Sequence, residues 1–289
     1  MQRIDSNKQT QKAIVNLPAW EQKLPQLTKQ YAKNLPFPYI ELDDFLSEQA
    51  AEKGRIDFPG VRDDGWIHYV HVNEKKHGLN KLELLPSSLK QIIEELQKPQ
   101  FVRFISELTG IPGLMADPAL EGGGLHQTQK GGFLNIHADF TVHPHKRHWR
   151  RRVNLLLYFN KNWEESYKGD LELWSRDMKQ CETKIAPLFN RCVLFNTDED
   201  SYHGLPDPIE CPEAMTRKSI ALYYFTEEKT LPRKRATNYR ARPGDGLKSI
   251  LIYADKQLIS LYNSLKGTLG IDDQFASKIL RFFNRKKRP

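Results

Sequence analysis

The sequence predicts a mainly β protein, an antiparallel sandwich or jelly roll with helices on either side (α+β). Between residues 116 and 228, short apolar stretches alternate with turns rich in glycine, proline and asparagine, which is typical of such folds. Before residue 110 and after residue 246, apolar residues recur at the three- and four-residue spacing of helices. Together these patterns indicate a β core between N-terminal and C-terminal helices.

The chain of 289 residues is long enough for one large domain with appendages. We expect residues 1–35 to form a loosely ordered arm with broken helical pieces, because Pro18 and Pro25 interrupt helices there. Residues 36–230 form the predicted main domain, with its β core at about 116–228. We expect residues 231–289 to be a basic linker followed by a helical extension.

Helix signals occur both before and after the β core. Ser47 is a candidate N-cap, and Ser87 or Ser88 is another. Pro99 is expected to begin a helix that Gly110 ends. Two C-terminal helices are expected, at residues 247–265 and after residue 272. Residues 54–80 show no clear period, and no structure is assigned to them.

The β core contains six candidate strands. They are residues 125–129, 133–140, 153–159, 170–174, 192–196 and 218–226. The longest apolar runs of the chain, such as residues 155–159, are far too short to span a bilayer. The three cysteines, Cys181, Cys192 and Cys211, lack paired spacing, which argues against a disulfide framework and for a reducing cytoplasm.

The net charge of +8 is concentrated in two basic runs. Residues 146–152 contain five Lys or Arg, and residues 284–288 close the chain with four. The favoured interpretation is solvated charge near a site and a disordered tail. The alternative is a docking patch for an acidic partner, including nucleic acid.

Residues 132–140 carry a histidine and an aspartate two positions apart. Because strand side chains alternate between faces, His137 and Asp139 point to the same side. A third ligand must come from a later strand end, and His203 follows the apolar strand 192–195. Two histidines and one carboxylate form the facial triad of non-haem iron(II) oxygenases, which leaves coordination positions open.

A further strand begins with an arginine. Arg217, Ser219 and Tyr223 would share one of its faces. A guanidinium fork binds a carboxylate through two hydrogen bonds and stays charged. A neighbouring hydroxyl adds one more bond. Such a pair suits the distal carboxylate of a dicarboxylic cosubstrate.

These features, in this order, resemble the 2-oxoglutarate and iron(II)-dependent dioxygenases, in particular the prolyl-hydroxylase-like branch. A third feature strengthens the resemblance. Residues 157–163 (LYFNKNW), with residues 169–173 (GDLEL) after them, resemble the tyrosine-containing strand and glycine-rich turn of the hypoxia-sensing prolyl hydroxylases. The likeness spans roughly residues 37–228.

The resemblance implies a double-stranded β-helix of the cupin-like type. It implies that His137, Asp139 and His203 bind Fe(II), and that Arg217, helped by Tyr158 and Ser219, binds 2-oxoglutarate. The expected reaction uses O2 to hydroxylate an unactivated C–H bond, and it releases succinate and CO2. A prolyl residue of a protein or peptide is the expected substrate, with small molecules left open, and ascorbate is an expected additional cofactor.

The sequence also departs from the family pattern. The tyrosine that this branch usually carries about ten residues before its first ligand is absent, and residues 126–128 read His-Gln-Thr. His126 and Asn154 could replace the missing contact, and Tyr223 is a further candidate for the pocket wall. The loop between His203 and Arg217 is long and contains three prolines.

Several alternatives stay open at the level of sequence. The tract from His143 to His148 is either a rim loop or, less favoured, a separate metal site. Residues 198–200 are acidic, and a solvated loop is favoured over metal binding. Residues 122–124 are glycines without a Gly-Lys-Ser/Thr after them, which does not favour phosphate binding. The alternative functions are a non-catalytic metal-binding or sensing barrel and an oxygenase docked on nucleic acid through its basic runs.

Overall fold

The structure is a computed structural model that describes residues 13–254. The α-helices before residue 110, which are interspersed with the first strands, are α1 (Leu17–Lys33), α2 (Glu48–Ile56), α3 (Ser87–Gln97) and α4 (Pro99–Thr109). The strands are β1 (Tyr39–Leu42), β2 (Ile67–His71), β3 (Glu74–Leu79), β4 (Met115–Ala116), β5 (Gly124–Thr128), β6 (Phe133–Ala138), β7 (Trp149–Tyr158), β8 (Leu171–Trp174), β9 (Cys181–Ile185), β10 (Cys192–Asn196), β11 (His203–Leu205), β12 (Arg217–Glu227) and β13 (Asn238–Tyr239). Residues 248–254 are again helical.

The strands form one sheet that folds over on itself. Its order is β1-β10-β7-β12-β5-β3-β6-β11-β8-β9, with β2, β4 and β13 attached at its sides. The strand pairs are antiparallel. The ring of Phe195 on β10 lies 4.7 Å from that of His203 on β11. The half of the sheet that contains β10 therefore faces the half that contains β11. The predicted jelly-roll architecture is confirmed.

All six candidate strands are present, as β5, β6, β7, β8, β10 and β12. The largest difference in extent is at β7, which begins at Trp149, four residues earlier than expected. The segment without an assignment, residues 54–80, contains the hairpin of β2 and β3. The alternation of apolar and polar residues that marks a strand is absent here, because several lysines and histidines of this hairpin face the interior of the sheet.

The outer face of strands β7 and β12 packs against helices. Strands β7 and β12 alternate strictly through their centres, so that Leu155 and Leu222, for example, belong to the same apolar cluster as the buried residues of α3 and α4. The opposite face of these two strands, with Asn154, Tyr158 and Ser219, lines the interior. Because neighbouring residues of a strand point to opposite faces, the residues between the helix-packed ones point into the interior of the folded sheet.

Helix α1 corrects the expectation of a loosely ordered arm with broken helical pieces. It is one continuous helix from Leu17 to Lys33, with Pro18 at its first turn and Pro25 inside it. An interior proline costs about 3 kcal/mol, but α1 buries Leu27 and Tyr31 in the main core. This tertiary packing offsets the lost hydrogen bond.

The other helix ends agree closely with the sequence. Ser47 is the N-cap of α2, and α4 runs from Pro99 to a left-handed Gly110. The predicted cap of α3 is wrong, because Pro86 occupies the N-cap position and Ser87 is the first helical residue. Ser88 lies inside the helix, and its hydroxyl donates to Asp57 at 2.6 Å. No helix within residues 13–254 has the length and apolar character needed to cross a bilayer.

The stretch expected to be a basic linker contributes to the sheet. Strand β13 pairs with β6, and the Asn73 amide donates to the Ile252 carbonyl of the helical stretch at 3.4 Å. The rest of the predicted C-terminal helices and the basic tail at 284–288 lie outside the described residues. The predicted domain boundaries stay a prediction.

We predict that Asn190→Ala lowers the free energy of unfolding by about 2–4 kcal/mol. The Asn190 side chain is buried and forms two 2.9 Å hydrogen bonds, one from the Leu46 amide and one to the Leu46 carbonyl. Alanine leaves both main-chain groups unpaired at a residue with φ 59°. Urea unfolding measures the change.

Asn162→Ala is the matched control, because Asn162 also has a left-handed backbone, with φ 54°, and is exposed. It should cost only about 1 kcal/mol. Equal losses in the two variants would mean that backbone conformation, and not the hydrogen bonds to Leu46, sets the cost.

Candidate metal centre and cosubstrate site

Two histidines from neighbouring strands define the centre of the site. His137 on β6 and His203 on β11 are direct cross-strand partners, and their ring centroids are 4.5 Å apart. Asp139, the residue after Ala138 at the end of β6, reaches both rings. Its Oδ1 lies 3.6 Å from His137 Nε2, and its Oδ2 lies 3.4 Å from His203 Nε2.

The structure therefore brings together the three residues that the sequence proposes as metal ligands. Their candidate ligand atoms all lie within 4.8 Å of one another. Within residues 13–254 they are the one such cluster of three or more His, Cys, Asp or Glu residues.

The hydrogen bonds of both imidazoles determine which ring nitrogen is free. His137 Nδ1 lies 2.9 Å from the Asn135 carbonyl oxygen, and His203 Nδ1 lies 2.8 Å from that of Ser201. A carbonyl oxygen can only accept, so each Nδ1 must carry the proton. Burial lowers the pKa of His203 to about 4, so at neutral pH its Nε2 presents a lone pair.

These atoms fit a divalent metal ion. The Nε2 atoms of both histidines and a carboxylate face a common point, and acceptors at such distances repel one another unless a cation lies between them. Two imidazole nitrogens and one carboxylate oxygen on one side of the ion match the facial set used for Fe(II), with the opposite side open. The donor chemistry therefore agrees with the metal that the sequence predicts.

The carboxylate of Asp139 is held by two further side chains. Arg151 Nη2 and Asn154 Nδ2 each lie 2.8 Å from its Oδ2. Burial alone would raise the pKa of Asp139, but Arg151, His203 and His137 together hold it well below its ordinary value. Asp139 is therefore ionised, as a metal ligand must be.

A buried arginine forms a second, separate feature of the interior. Arg217 Nε donates to the Gly169 carbonyl oxygen at 2.7 Å, and its Nη2 donates to the Tyr158 hydroxyl at 3.2 Å. Its side chain is 95% buried, yet among residues 13–254 no carboxylate forms an ion pair with it. Since a buried charge without a counter-ion is costly, this guanidinium is suited to bind the carboxylate of a ligand.

Tyr158 and Ser219 accompany Arg217 on the interior face. Ser219 on β12 lies directly opposite Tyr158 on β7 and His126 on β5. Burial raises the pKa of Tyr158, and Arg217 only partly opposes this, so the phenol keeps its proton and can donate it. The three predicted cosubstrate residues are thus neighbours.

The three candidate pocket residues have different surroundings. Asn154 holds Asp139 through its side-chain amide. His126 is partly exposed and lies near Lys76. Desolvation, together with the charge of Lys76, lowers its pKa to about 3, so it is neutral. The Tyr223 hydroxyl donates to the Gly122 carbonyl at 2.8 Å, and its ring stacks on Arg151.

Several polar residues of the interior cannot be recognised from the sequence. Arg151 belongs to a run predicted to be solvated charge, yet it is fully buried. Glu74 and Lys76 lie on β3, in the segment without an assignment, and form a 3.1 Å ion pair. His71 Nε2 lies 2.8 Å from the other Glu74 oxygen. A glutamate and two lysines in a short stretch without apolar residues carry no usable signal of burial.

The basic run at 146–152 is mostly neutralised. Four of its five Lys and Arg residues form ion pairs: Lys146 with Asp117, Arg150 with Asp198, Arg151 with Asp139 and Arg152 with Glu228. This pairing reduces the positive charge that the run can offer to an acidic partner. His143 is buried and bonded to Asp117 at 3.2 Å, which makes it a structural residue of the rim loop.

Comparison with known proteins identifies the class. Residues 123–225 match the family model described as the 2OG-Fe(II) oxygenase superfamily, and this segment contains the histidine, aspartate and arginine features of the interior. The match supports the predicted superfamily, whose members use Fe(II) and 2-oxoglutarate as cofactor and cosubstrate. The predicted superfamily and enzyme class, a 2-oxoglutarate-dependent dioxygenase, are confirmed.

Solved structures include proteins of similar fold. A prolyl hydroxylase from Trichoplax adhaerens, in complex with a peptide fragment of hypoxia inducible factor, has 21% identity and a TM-score of 0.50, over 71% of this chain and 91% of that chain. A prolyl-4-hydroxylase from Pseudomonas putida has 15% identity and a TM-score of 0.49, over 70% and 100% of the two chains. A search of curated proteins gave no match.

We predict that Gly169→Ala raises the KM for 2-oxoglutarate by about fivefold, since small misplacements of binding groups have large effects. Gly169 has φ +83°, and an added Cβ would lie 3.3 Å from Arg217 Cδ. The guanidinium would have to shift by a few tenths of an ångström. Steady-state kinetics of succinate formation measures the change.

The matched control is Gly113→Ala, because Gly113 has φ +70° and no atom within 4 Å of an added Cβ. It should reduce stability but leave KM unchanged. A normal KM in Gly169→Ala would argue that the position of Arg217 does not limit cosubstrate binding.

Proposed function

We propose that this chain is an Fe(II)- and 2-oxoglutarate-dependent hydroxylase, with His137, Asp139 and His203 as the iron ligands. One observation carries the proposal. Both histidines donate from Nδ1 to a main-chain carbonyl, which turns their Nε2 lone pairs toward the ionised Asp139. A site of this kind is preorganised for binding a divalent cation.

The residues around Arg217 have the chemistry of a cosubstrate site. The guanidinium has two hydrogen bonds to residues in the described range, from Nε and from Nη2, out of five N–H groups. The remaining N–H groups can bind the distal carboxylate of 2-oxoglutarate in a fork, and the Tyr158 hydroxyl can donate a further bond. Ser219, between Tyr158 and His126, is the third proposed contact.

When bound, the iron centre couples the oxidation of 2-oxoglutarate by O2, giving succinate and CO2, to insertion of the second oxygen atom into a substrate C–H bond. The protein binds and orients the reactants and excludes water. Burial of the interior favours this exclusion, since His137, His203 and Arg217 are each about 95% buried. Ascorbate is proposed as an assay component that keeps the iron reduced.

A prolyl residue of a protein or peptide is the proposed substrate, with a small molecule as the alternative. Support comes from the fold shared with the Trichoplax adhaerens prolyl hydroxylase and from the sequence resemblance to that branch. A screen of proline-containing peptides, free amino acids and metabolites for stimulated succinate release tests this. A product with a mass increase of one oxygen on a residue other than proline would contradict the prolyl assignment.

We predict a metal-to-ligand charge-transfer band when Fe(II) and 2-oxoglutarate are added to the protein without oxygen. His137→Ala and Asp139→Ala should each abolish the band, because each removes one of three ligands. His145→Ala is the matched control, since His145 is an exposed histidine of the rim loop, and it should leave the band intact. A normal band in His137→Ala would refute the ligand assignment.

Turnover separates the enzyme from a barrel that only binds or senses metal. The iron-loaded protein should form succinate slowly from 2-oxoglutarate and O2 even without substrate. A protein that shows the charge-transfer band but forms no succinate with any compound of the screen would support the binding or sensing function instead.

A further inference from the structure

Arg151 is a buried cation in direct contact with a proposed metal ligand. It is among the largest fully buried side chains of the described residues. Its Nη2 lies 2.8 Å from Asp139 Oδ2, and its Nε donates to Asn154 Oδ1 at 2.9 Å. Asn154 in turn donates from Nδ2 to the same Asp139 oxygen at 2.8 Å. The three side chains form a closed ring of hydrogen bonds.

This ring treats the two carboxylate oxygens of Asp139 differently. Oδ2 accepts from both Arg151 and Asn154, so its lone pairs are occupied by donors. Each oxygen lies near one histidine, Oδ1 at 3.6 Å from His137 Nε2 and Oδ2 at 3.4 Å from His203 Nε2. Oδ1, however, accepts from neither Arg151 nor Asn154. The carboxylate can present Oδ1 to a metal ion, whereas chelation through both oxygens would require Oδ2 to give up its donors.

Resting on the proposed function, we infer that Arg151 and Asn154 are positioning residues that keep Asp139 a one-oxygen ligand of the iron. A facial set of three ligand atoms leaves three positions on an octahedral ion. Two are needed by the chelating keto acid and one by O2. A second oxygen from Asp139 would occupy one of these positions and compete with 2-oxoglutarate.

The surroundings of Arg151 fix its orientation as well as its charge. The guanidinium lies 3.3 Å from the ring centroid of Tyr223 and 4.6 Å from that of Phe140. The Tyr223 ring is anchored in turn through its hydroxyl, which donates to the Gly122 carbonyl. A planar guanidinium can stack on these rings while its Nε and Nη2 donate in fixed directions to two partners, and the compact ammonium of a lysine lacks this planar fork.

These positioning roles predict that substitution of Arg151 weakens the binding of 2-oxoglutarate but not that of Fe(II). In Arg151→Met, Asp139 is free to chelate, so the dissociation constant for Fe(II) should not rise. The dissociation constant for 2-oxoglutarate should rise by about tenfold, the lower end of what partners of metal ligands contribute. Anaerobic titration of the metal-free protein with Fe(II), and then with 2-oxoglutarate at the charge-transfer band, measures both.

Two further variants separate geometry from charge. Arg151→Lys keeps the positive charge but not the two-pronged contact, and Asn154→Ala removes one donor without changing charge. Both should weaken 2-oxoglutarate binding and shift the charge-transfer band. Arg152→Met is the matched control, because Arg152 is the next residue on β7 and pairs with Glu228 instead, and it should behave like the wild type.

Normal 2-oxoglutarate affinity in Arg151→Lys and Asn154→Ala would overturn the inference, because charge alone would then suffice. A large loss of Fe(II) affinity in Asn154→Ala would also overturn it, in favour of a purely structural role. Because Asn154→Ala keeps the Arg151–Asp139 pair, it tests the idea even where Arg151→Met does not fold. Failure of the wild type to bind Fe(II) would instead count against the proposed function.

Discussion

The antiparallel pairing of His137 with His203 is the constraint on which the site depends. It places two imidazoles side by side on β6 and β11, far apart in sequence, with centroids 4.5 Å apart. Each ring is then fixed by a main-chain carbonyl two residues before it. Because these partners belong to the same stretches of backbone as the histidines, the direction of both Nε2 lone pairs depends on the register of the sheet.

The same sheet explains why polar groups can collect in its interior. Strands β7 and β12 bury their apolar side chains, such as Leu155 and Leu222, against the helices outside. Alternation then turns Asn154 and Tyr158 inward, opposite Tyr223 and Ser219. The cost of burying so many polar groups is offset by pairing them with one another. Arg217 is the exception, because it has no carboxylate partner among residues 13–254. A dicarboxylic acid in the interior would supply the missing counter-ion.

Strict alternation along a strand can be read from the sequence, whereas a break in that alternation cannot. His137 and Asp139 share a face by this rule, and so do Arg217 and Ser219. Strict alternation from Asn154 would turn Arg152 inward and Arg151 outward. A bulge in β7 shifts the register, so that Phe225 pairs with Arg151, and Arg151 becomes the buried residue. No local sequence pattern predicts this bulge. Helix α1 likewise cannot be predicted from local sequence rules, because it is stabilised by packing against core residues that are distant in sequence.

A crystal structure of the protein with Mn(II) and 2-oxoglutarate, with the metal located by anomalous scattering, tests the central claim most directly. The account predicts one metal ion bound by Nε2 of His137, Nε2 of His203 and a single oxygen of Asp139. The distal carboxylate of the keto acid should meet the Arg217 guanidinium. A metal ion bound elsewhere, or a keto acid that leaves Arg217 without a carboxylate, would contradict it.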